Sequence, residues 1–475
     1  MPDTTPLVVL GAGPGGHAAA FLAADLGMPV VLIDDEVNPG GVCTYRGCIP
    51  SKALLHVAKL LAEARHASQW GIDFGEPKID IDKVRAFKQG VVDRLTGGLG
   101  QLTRQRKITY IQGRASFVDA HTLKVALTAG GEQDVRFEKL IIATGSRPIT
   151  LPNVTLSPER LLDSTTALDM ARMPKSLLVV GGGYIGLELG TVYAALGAEV
   201  SVVEMLDRLL PGADRDLVNV LAKRIRPITK QVLLSTKVVS MEEKPDGVHV
   251  TFEGAVEQKT QVFDQVLVSI GRRPNGNIAG IEKTGVEVSQ RGFITVDPQR
   301  RTTVPHIYAI GDVAGDPMLA HKATYDAKIA VEHIAGHKVA FEPAAIPAVV
   351  FTDPELAWCG LTEAEAQERG IAVEIAKFPW AASGRATTVD RTDGLTKLII
   401  EPGTQRVLGV GIVGVNAGEL IAEGVLAVEM AATVADLKMT IHAHPTLGET
   451  VMEAAEVYFG TATNFYKPKK ASAAS

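Results

Sequence analysis

The chain is poor in cysteine, in basic clusters and in long apolar runs. Its 475 residues include three cysteines, too few for a secreted fold held together by disulfides. The formal net charge is −6 and no long basic stretch occurs, so the electrostatic pattern of a nucleic-acid-binding protein is missing. No apolar run approaches the roughly 20 residues that a membrane-spanning helix needs. We therefore expect a globular protein with neither nucleic acid nor membrane as a partner.

The length exceeds what one hydrophobic core supports, so three or four domains are expected. The N-terminal sequence MPDTTPLVVLGAG has neither the basic start of a secretory signal nor the arginines of a transit peptide. We expect a cytoplasmic protein on this basis. In a reducing compartment a disulfide is more often catalytic or redox-sensing than structural.

The stretch LVVLGAGPGG has the pattern of a buried strand that runs into a glycine-rich turn. Gly11, Gly13 and Gly16 have the G-x-G-x-x-G spacing, and a helix-like run and a second strand ending in Asp34 follow. Such glycines let a pyrophosphate approach the helix N-terminus, while the acid binds ribose hydroxyls. The segment predicts a dinucleotide site.

The same arrangement returns in LLVVGGGYIG, which supplies Gly181, Gly183 and Gly186. The following strand ends in Glu204, and the first glycine and the acid are separated by the same number of residues as before. One such motif is a weak signal, but two with matching strand, helix and acid indicate an internal repeat.

Two further segments support the repeat: LIIATGSRP at 140–148 and VLVSIGRRP at 266–274 each follow one fingerprint. The chain is thus predicted to contain two related nucleotide-binding domains. The strand IYAIGD at 307–312 ends in another Gly-Asp, which alone is typical of an ordinary strand-to-helix turn.

The segment GGVCTYRGCIPSK places Cys43 and Cys48 five positions apart. In a regular helix such residues have Cα atoms roughly 8 to 9 Å apart, whereas a disulfide needs less than about 7 Å. If they bond, the segment must be distorted, and Gly47 and Pro50 are available to help. Two unconnected thiols and a metal site are the alternatives, although no second Cys or His pair lies nearby at ligand spacing. No metal is expected.

Disulfide exchange requires a thiolate and therefore a base. His444 in HAHPTLGE has the best context, because Pro445 can open the helix TLGETVMEAAEVYF and Glu449 would lie one turn into it. His442 is the competing candidate. Cys359 has mostly apolar neighbours, which is typical of a small buried side chain.

Together these motifs resemble the pyridine-nucleotide disulfide oxidoreductases. The resemblance covers nearly the whole chain and is carried, in order, by the first fingerprint, GGVCTYRGCIPSK, ATGSRP, GGGYIGLE, IGRRPN, AIGD with MLAHKA after it, and HAHPTLGE. Between the cysteines this chain has TYRG, where many relatives have LNVG. We expect this difference to affect the local packing and not the chemistry. The resemblance implies an α/β fold with two Rossmann-like dinucleotide-binding domains and a C-terminal α+β interface domain that forms a homodimer.

The resemblance also implies domain limits: an FAD-binding domain at 1–148, an NAD-binding domain at 149–276, a central domain at 277–345 that completes the FAD site, and an interface domain at 346–475 with a short disordered tail. Asp34 would bind the adenosine ribose of FAD and Asp312 its ribityl chain. The residues expected to contact FAD or NAD are Gly11, Gly13, Gly16, Asp34, Lys52, Thr144, Gly145, Gly181, Gly183, Gly186, Glu204, Gly271, Gly311, Asp312 and Ala320.

The expected preference between NAD and NADP depends on Glu204. Its carboxylate would accept hydrogen bonds from the ribose hydroxyls of NAD and repel the 2′-phosphate of NADP. This favours NAD over NADP. Arg208 lies close enough in sequence to receive such a phosphate, so the alternative stays open.

The implied chemistry uses a Cys43–Cys48 disulfide, with Cys43 as the thiol that exchanges with substrate and Cys48 against the flavin. Lys52 and Glu188 would pair beside the flavin, and the base would come from the partner chain of the dimer. The residues expected at the catalytic site are Cys43, Cys48, Lys52, Glu188, His444 and Glu449.

The expected reaction is the oxidation of protein-bound dihydrolipoyl groups by NAD, as the flavoprotein of a 2-oxo acid dehydrogenase complex. A lipoyl-bearing acyltransferase subunit of that complex would be the partner. The alternatives are another disulfide reductase, such as glutathione reductase, which usually has VPKK where this chain has IPSK, and a non-catalytic docking subunit.

Overall fold

The first sheet is built on continuous apolar strands in this computed structural model, which describes residues 4–152 and 154–466. Val8 and Leu10 pack on one face and Leu7 and Val9 on the other, so both faces are buried, as in parallel sheets covered on both sides. The elements of this part are β1 Thr5–Leu10, α1 Pro14–Asp25, β2 Val30–Asp34, α2 Gly41–Arg46, α3 Cys48–His66, α4 Ile81–Gln105, β3 Thr109–Asp119, β4 Thr122–Leu127, β5 Glu132–Ile142 and β6 Ser146–Pro148.

In this sheet β1 lies between β2 and β5, and all three strands run parallel. β3 also pairs parallel with β2 and then turns away to form an antiparallel layer with β4 and β5. The carboxyl ends of β1 and β2 therefore meet at one edge. This edge is where ligands bind in folds of this type.

The elements of the second part are β7 Leu161–Leu162, α5 Thr166–Asp169, β8 Ser176–Val180, α6 Tyr184–Ala195, β9 Glu199–Val203, α7 Arg215–Ile228, β10 Gln231–Leu233, β11 Thr236–Lys244, β12 Gly247–Gly254, β13 Thr260–Phe263, β14 Gln265–Val268 and β15 Arg272–Pro274. This part repeats the strand–helix–strand unit around a parallel sheet in the order β10-β9-β8-β14-β7, with an antiparallel layer β11-β12-β13. α1 and α6 each have twelve residues and begin directly after the second glycine of their fingerprint. The predicted repeat is confirmed.

The chain leaves the first part along β6 and returns to it along β15. These two strands pair with each other as a separate antiparallel ribbon, with Ser146 opposite Pro274 and Pro148 opposite Arg272. The two crossings between the nucleotide-binding parts therefore run side by side.

After the ribbon, the chain adds β16 Ile307–Ala309 to the first sheet, parallel to β5. A 3₁₀ turn, Gly311–Ala314, follows at the end of that strand, and α8 Ala320–Ile334 then packs against α1. The late segment thus completes the sheet that the N-terminal residues began.

The elements of the last part are β17 Ala348–Val350, β18 Glu355–Gly360, α9 Glu363–Arg369, β19 Glu374–Pro379, α10 Gly384–Thr388, β20 Leu395–Ile400, β21 Val407–Gly414, α11 Ala417–Glu429, α12 Val434–Met439 and α13 Glu449–Phe459. The strands form an antiparallel five-stranded sheet in the order β17-β18-β21-β20-β19, with helices packed on it. The family resemblance implied an α+β domain here, which this arrangement matches. A short disordered tail was expected at the C-terminus, and residues 467–475 of it lie outside the described residues.

One apolar cluster joins all three parts. Leu54 and Leu55 of α3 pack with Leu187 of α6 and with Val350 and Leu356 of the C-terminal sheet. The helix that begins at the second cysteine is therefore fixed against both the second nucleotide fold and the C-terminal domain. Within the described residues, no helix has both the length and the apolar character that crossing a bilayer would require.

Candidate active site and dinucleotide sites

The cysteine segment consists of two helices interrupted at Gly47. α2 ends at Arg46 and α3 begins at Cys48, while Gly47 between them has φ −147° and ψ −115°. A Cβ on Gly47 would lie 2.9 Å from the carbonyl oxygen of Val42, which explains why a glycine stands there. The predicted distortion at Gly47 is confirmed, and it brings the two cysteine side chains together.

Cys43 and Cys48 are free thiols in this structure, joined by a side-chain hydrogen bond. That bond lowers the pKa of Cys48 to about 7, and the charge on Lys52 lowers it further, against the opposing effect of burial. The same bond, together with burial, raises the pKa of Cys43. Cys48 is also the first residue of α3, where the helix dipole favours an anion. The pair is thus set up to hold one thiolate, on Cys48.

The residues between the cysteines, which depart from the usual family pattern, are well packed. Thr44 is buried. The Tyr45 hydroxyl accepts a hydrogen bond from the backbone N–H of Asn38 at 3.2 Å and donates to its carbonyl oxygen at 3.0 Å. Arg46 forms an ion pair with Glu36. These substitutions tie α2 to the loop after β2 instead of loosening it.

Lys52 in α3 of the first nucleotide fold forms an ion pair with Glu188 in α6 of the second. The Lys52 ammonium is 2.7 Å from Glu188 Oε2, and the Glu188 side chain is only 3% exposed. Ser51 Oγ donates to the same oxygen at 3.2 Å, and the backbone N–H of Phe351 donates to Oε1 at 3.0 Å. The structure therefore brings together the predicted pair, and it adds Ser51 and Phe351, which the sequence had not indicated.

His444 and Glu449 also lie together. His444 Nδ1 is 2.9 Å from Glu449 Oε1, and the His444 side chain is 77% exposed. In the neutral tautomer whose Nδ1–H donates to the carboxylate, Nε2 is the proton acceptor that a base requires. The geometry of a base with its orienting acid is present.

The predicted start of the last helix is wrong. α13 begins at Glu449 after Gly448, so Pro445 does not open the helix and Glu449 is its first residue. The reason is local: Glu449 Oε2 accepts from the backbone N–H of Thr446 at 2.7 Å, which holds residues 446–448 as a turn. The carboxylate is thereby held next to the imidazole.

Both ring nitrogens of His442, the competing candidate, lie next to protein acceptors. Its Nε2 is 2.7 Å from Glu423 Oε1, its Nδ1 is 3.0 Å from the carbonyl oxygen of Thr440, and its side chain is 9% exposed. Because both ring nitrogens face acceptors, neither is available to a substrate. The geometry favours His444 as the base.

The first fingerprint has the strained turn that its glycines predict. Gly11 has φ +98°, and a Cβ there would lie 2.4 Å from the carbonyl oxygen of Ala143. A Cβ on Gly16 would lie 1.8 Å from the carbonyl oxygen of Gly11, whereas one on Gly13 would meet nothing within 4 Å. The protein thus needs the outer glycines for its own packing and leaves space above Gly13, where a pyrophosphate would approach.

Asp34 ends β2 next to this turn. Its Oδ2 accepts from the backbone N–H of Ala12 at 2.6 Å and its Oδ1 from that of Glu36 at 3.0 Å. Burial raises the pKa of Asp34 to about 6, and the bond from Ala12 opposes this rise. The carboxylate is held rigidly beside the glycine turn.

The second fingerprint reproduces this geometry. Glu204 Oε2 accepts from the backbone N–H of Gly182 at 2.7 Å and its Oε1 from that of Leu206 at 2.8 Å. A Cβ on Gly183 would meet nothing within 4 Å. Arg208 donates to the carbonyl oxygen of Pro211 at 3.3 Å. The acid thus has the same support as Asp34, and Arg208 is engaged elsewhere.

Gly181 and Gly186 serve as the outer glycines of the second turn. A Cβ on Gly181, where φ is +110°, would lie 2.5 Å from the carbonyl oxygen of Ser269, and one on Gly186 would lie 2.4 Å from that of Gly181. The second turn is therefore as tightly packed as the first.

Several of the remaining predicted cofactor residues, Thr144, Gly145, Gly271 and Asp312, lie at or beside the ribbon between the two folds. Asp312 Oδ2 accepts from Ser146 Oγ at 2.5 Å. The Thr144 hydroxyl donates to the carbonyl oxygen of Asn275 at 3.0 Å. Gly145, Gly271 and Gly311 all have positive φ, and Ala320 is the first residue of α8.

Ser146 and Arg272 were missed by the sequence analysis. Arg272 Nε donates to Ser146 Oγ at 2.7 Å, and another nitrogen of the guanidinium donates to the Ser146 carbonyl oxygen at 2.7 Å. Both lie in motifs already noticed, ATGSRP and IGRRP, but only the β6–β15 pairing shows that the motifs contact each other. Asp312 is thus supported from the second nucleotide fold.

Two features outside this site have simpler explanations. Among the described residues, Asp214, Asp216 and Glu363 form an acidic group with metal-like spacing, but the buried Lys397 ammonium lies 2.8 Å from Asp214 and already supplies the cation. Cys359 is 1% exposed, and burial raises its pKa to about 12. It is a buried structural thiol, as its apolar sequence neighbours indicate.

Comparisons with known families agree over both halves of the chain. The family described as pyridine nucleotide-disulphide oxidoreductase matches residues 5–327, and the dimerisation domain of that family matches residues 346–455. The first match contains both fingerprints and the cysteine pair, and the second contains His444 and Glu449.

Individual relatives span nearly the full length. Dihydrolipoyl dehydrogenase from Haemophilus influenzae is 52% identical, with 98% of this chain and 97% of that protein covered. Dihydrolipoyl dehydrogenase from Geobacillus stearothermophilus is 47% identical, with 96% and 97% covered. The crystal structure of LpdA from Mycobacterium tuberculosis is similar at a TM-score of 0.88 and 28% identity, with 95% and 99% covered.

Proposed function

The chain belongs to the pyridine nucleotide-disulphide oxidoreductase family, and we propose from this premise that it is a flavoprotein that oxidises dihydrolipoyl groups with NAD. The observation that carries the proposal is the hydrogen-bonded Cys43–Cys48 pair, in which the Cys48 pKa is lowered to about 7. The helix that begins at Cys48 joins the two dinucleotide folds through α6 and the Lys52–Glu188 ion pair. Relatives named dihydrolipoyl dehydrogenase have 52% and 50% sequence identity to this chain and support this choice of substrate.

The residues present fit two dinucleotides. The open space above Gly13 and Gly183, beside rigid Asp34 and Glu204, is the cradle that a pyrophosphate and its ribose need. We assign FAD to the first, with Asp312, Thr144 and Gly145 toward its flavin end, and NAD to the second. Bound FAD would accept an electron pair from the cysteine dithiol and pass a hydride to NAD.

We assign NAD rather than NADP to the second site. Glu204 presents a fixed negative charge where a 2′-phosphate would lie, and like charges at close range are unfavourable. Arg208, the residue that could receive such a phosphate, donates one hydrogen bond to the Pro211 carbonyl oxygen, so the assignment rests on Glu204.

The thiol chemistry uses the pair in its oxidised form. A substrate thiolate attacks Cys43 Sγ, the Cys43–Cys48 bond breaks, and Cys48 leaves as the thiolate that Lys52 stabilises. The second substrate thiol then attacks the substrate sulfur of the mixed disulfide with Cys43. That S–S bond breaks, and Cys43 leaves as a thiol that takes up the proton of the second substrate thiol. The substrate ends as a disulfide, and the cysteine pair has gained the two electrons.

His444 takes the substrate proton, and Glu449 orients and stabilises the resulting imidazolium. We assign this base to the partner subunit of a homodimer, since the matching dimerisation domain carries it. Near it, Met439 and Ile441 are apolar and 77% and 97% exposed in the single chain, as expected of a surface that a second copy covers. The lipoyl-bearing acyltransferase of a 2-oxo acid dehydrogenase complex is the proposed source of substrate.

The test is anaerobic reduction of the purified protein by dihydrolipoamide. The wild type should be yellow, bleach on addition of the dithiol, and then form NADH from NAD. Cys43→Ser and Cys48→Ser should stay yellow but not bleach, and Cys359→Ala is the matched control that should behave as the wild type. A colourless protein would favour the docking subunit, and reduction of glutathione disulfide by NADPH in place of this reaction would favour glutathione reductase.

A further inference from the structure

An ion pair is buried directly behind the segment that carries Asp312. Lys322 and Asp326 are one turn apart on α8, and their charged groups lie 3.1 Å apart. Their side chains are 2% and 0% exposed.

The pair holds both ends of the turn around Asp312. Asp326 Oδ2 accepts from the backbone N–H of Gly311 at 2.9 Å. Lys322 Nζ donates to the carbonyl oxygens of Gly311 at 3.3 Å and of Gly315 at 3.0 Å. The backbone on both sides of Asp312 is thus fixed from α8, while its carboxylate is held from the opposite direction by Ser146.

A second cation lies beside the pair, although Asp326 Oδ1 and Arg300 Nε are buried without a hydrogen-bond partner. A terminal nitrogen of Arg300 lies 3.5 Å from Asp326 Oδ1, and the Arg300 guanidinium stacks over the Phe341 ring at 3.9 Å from its centroid. The Arg300 side chain is 10% exposed. Two cations therefore share one fully buried carboxylate beneath the turn.

Stability alone does not explain these charges. Removing an ion pair from water costs several kcal/mol per ion, and a well-packed apolar pair at such a place is often as stable or more stable. What an apolar pair cannot do is bond the N–H and carbonyl groups of the turn, which would then be left buried without partners. The charges are thus suited to fixing the backbone geometry.

We propose that Lys322 and Asp326 are positioning residues that hold Asp312 in the place required to bind the FAD ribityl chain. The inference rests on the proposed function, which assigns Asp312 to FAD. Neither residue needs to contact the cofactor. Their effect passes through the Gly311 and Gly315 backbone.

The test separates positioning from packing by comparing FAD affinity with thermal stability. Lys322→Met, Asp326→Asn and the double variant Lys322→Met/Asp326→Leu are prepared as holoproteins. FAD released on dilution is measured by ultrafiltration, and Tm is measured at saturating FAD. Lys328→Met, which removes an exposed cation from the same helix, is the matched control.

Each single variant should raise the FAD dissociation constant roughly 10- to 100-fold, which corresponds to the loss of a hydrogen bond to a charged group. The double variant should regain the part of the Tm that the single variants lose through one unpaired buried charge, but neither the part lost with the bonds to the turn nor the FAD affinity. Lys328→Met should match the wild type in both.

Recovery of FAD affinity together with Tm in the double variant would overturn the proposal, because the pair would then serve packing alone. Wild-type affinity in both single variants would also overturn it. If the single variants do not fold, the double variant decides alone, since its apolar pair keeps the packing. A wild type that binds no FAD would instead refute the proposed function, so the two failures are distinguishable.

Discussion

At the scale of the residue, two neighbours lower the pKa of the Cys48 thiol. Cys43 donates a hydrogen bond to it, and Lys52 lies one helical turn further along α3. Both favour the thiolate, so removing either should raise the Cys48 pKa from about 7 toward the ordinary value of 9.0.

We therefore expect Cys43→Ala and Lys52→Met each to move the thiolate titration of the reduced protein to higher pH. The measurement is ultraviolet thiolate absorbance against pH, in a Cys359→Ala background so that only the pair titrates. A midpoint that stays near 7 in both variants would contradict the assigned causes.

Glu204 supports a second prediction at this scale. The wild type should have a higher kcat/KM with NAD than with NADP, and Glu204→Gln should reduce this preference at least roughly tenfold because the repulsion of the 2′-phosphate is lost. Steady-state kinetics with both cofactors measure it, and FAD content serves as the control. A wild-type preference for NADP would refute the assignment of Glu204.

At the scale of the element, the two glycine turns allow the two cofactors to be removed separately. Gly13 and Gly183 have φ −62° and −76°, and a Cβ would meet no protein atom within 4 Å at either position. Alanine therefore fits the apoprotein at both positions. A bound pyrophosphate would meet the new methyl group.

Gly13→Ala should therefore weaken FAD binding at least roughly tenfold without lowering the Tm of the apoprotein. Gly183→Ala should keep FAD and raise the KM for NAD. Ultrafiltration, thermal melting and steady-state kinetics measure these effects. Gly16→Ala is the contrasting variant, because its Cβ would lie 1.8 Å from the Gly11 carbonyl oxygen and should prevent folding. Normal FAD binding by Gly13→Ala would show that no pyrophosphate lies there.

Elements whose cause is local were predictable from the sequence. The glycine turns with Asp34 and Glu204 are fixed by φ angles and short spacings, and the break at Gly47 follows from helix geometry. The start of α13 was predicted wrongly because proline is a common first residue of helices, whereas here the Glu449 carboxylate bonds the Thr446 N–H and delays the helix.

Pairs distant in sequence were not predictable from the residues themselves. Lys52 and Glu188 would each be assigned to a solvated helix face, and only the family resemblance paired them. Arg272 with Ser146, and Phe351 with Glu188, depend on how the three parts pack. No local pattern encodes such contacts.

At the scale of the whole molecule, the proposed function assigns the exposed His444 to an active site shared by two chains. Cys48→Ala and His444→Ala homodimers should both be inactive, the second because losing a general base costs roughly 10²- to 10⁴-fold in rate. A mixed dimer of the two variants regains one intact site if the base acts across the interface.

Purified mixed dimers should therefore have about half the lipoamide activity of the wild type. A Cys43→Ala/Cys48→Ala mixed dimer is the matched control, because neither chain then holds a complete pair and no activity should return. Inactive Cys48→Ala/His444→Ala mixed dimers would place the base in its own chain.

The β6–β15 ribbon also bears on how such a chain could arise. Because Pro148 and Arg272 face each other, everything between them enters and leaves the first fold at a single point on its surface. The strand that completes the first sheet, β16, comes after this excursion and still finds its place beside β5. If a copy of the gene segment for the first nucleotide fold were inserted at that point, it would add a second nucleotide fold. The strand order of the first sheet would stay unchanged.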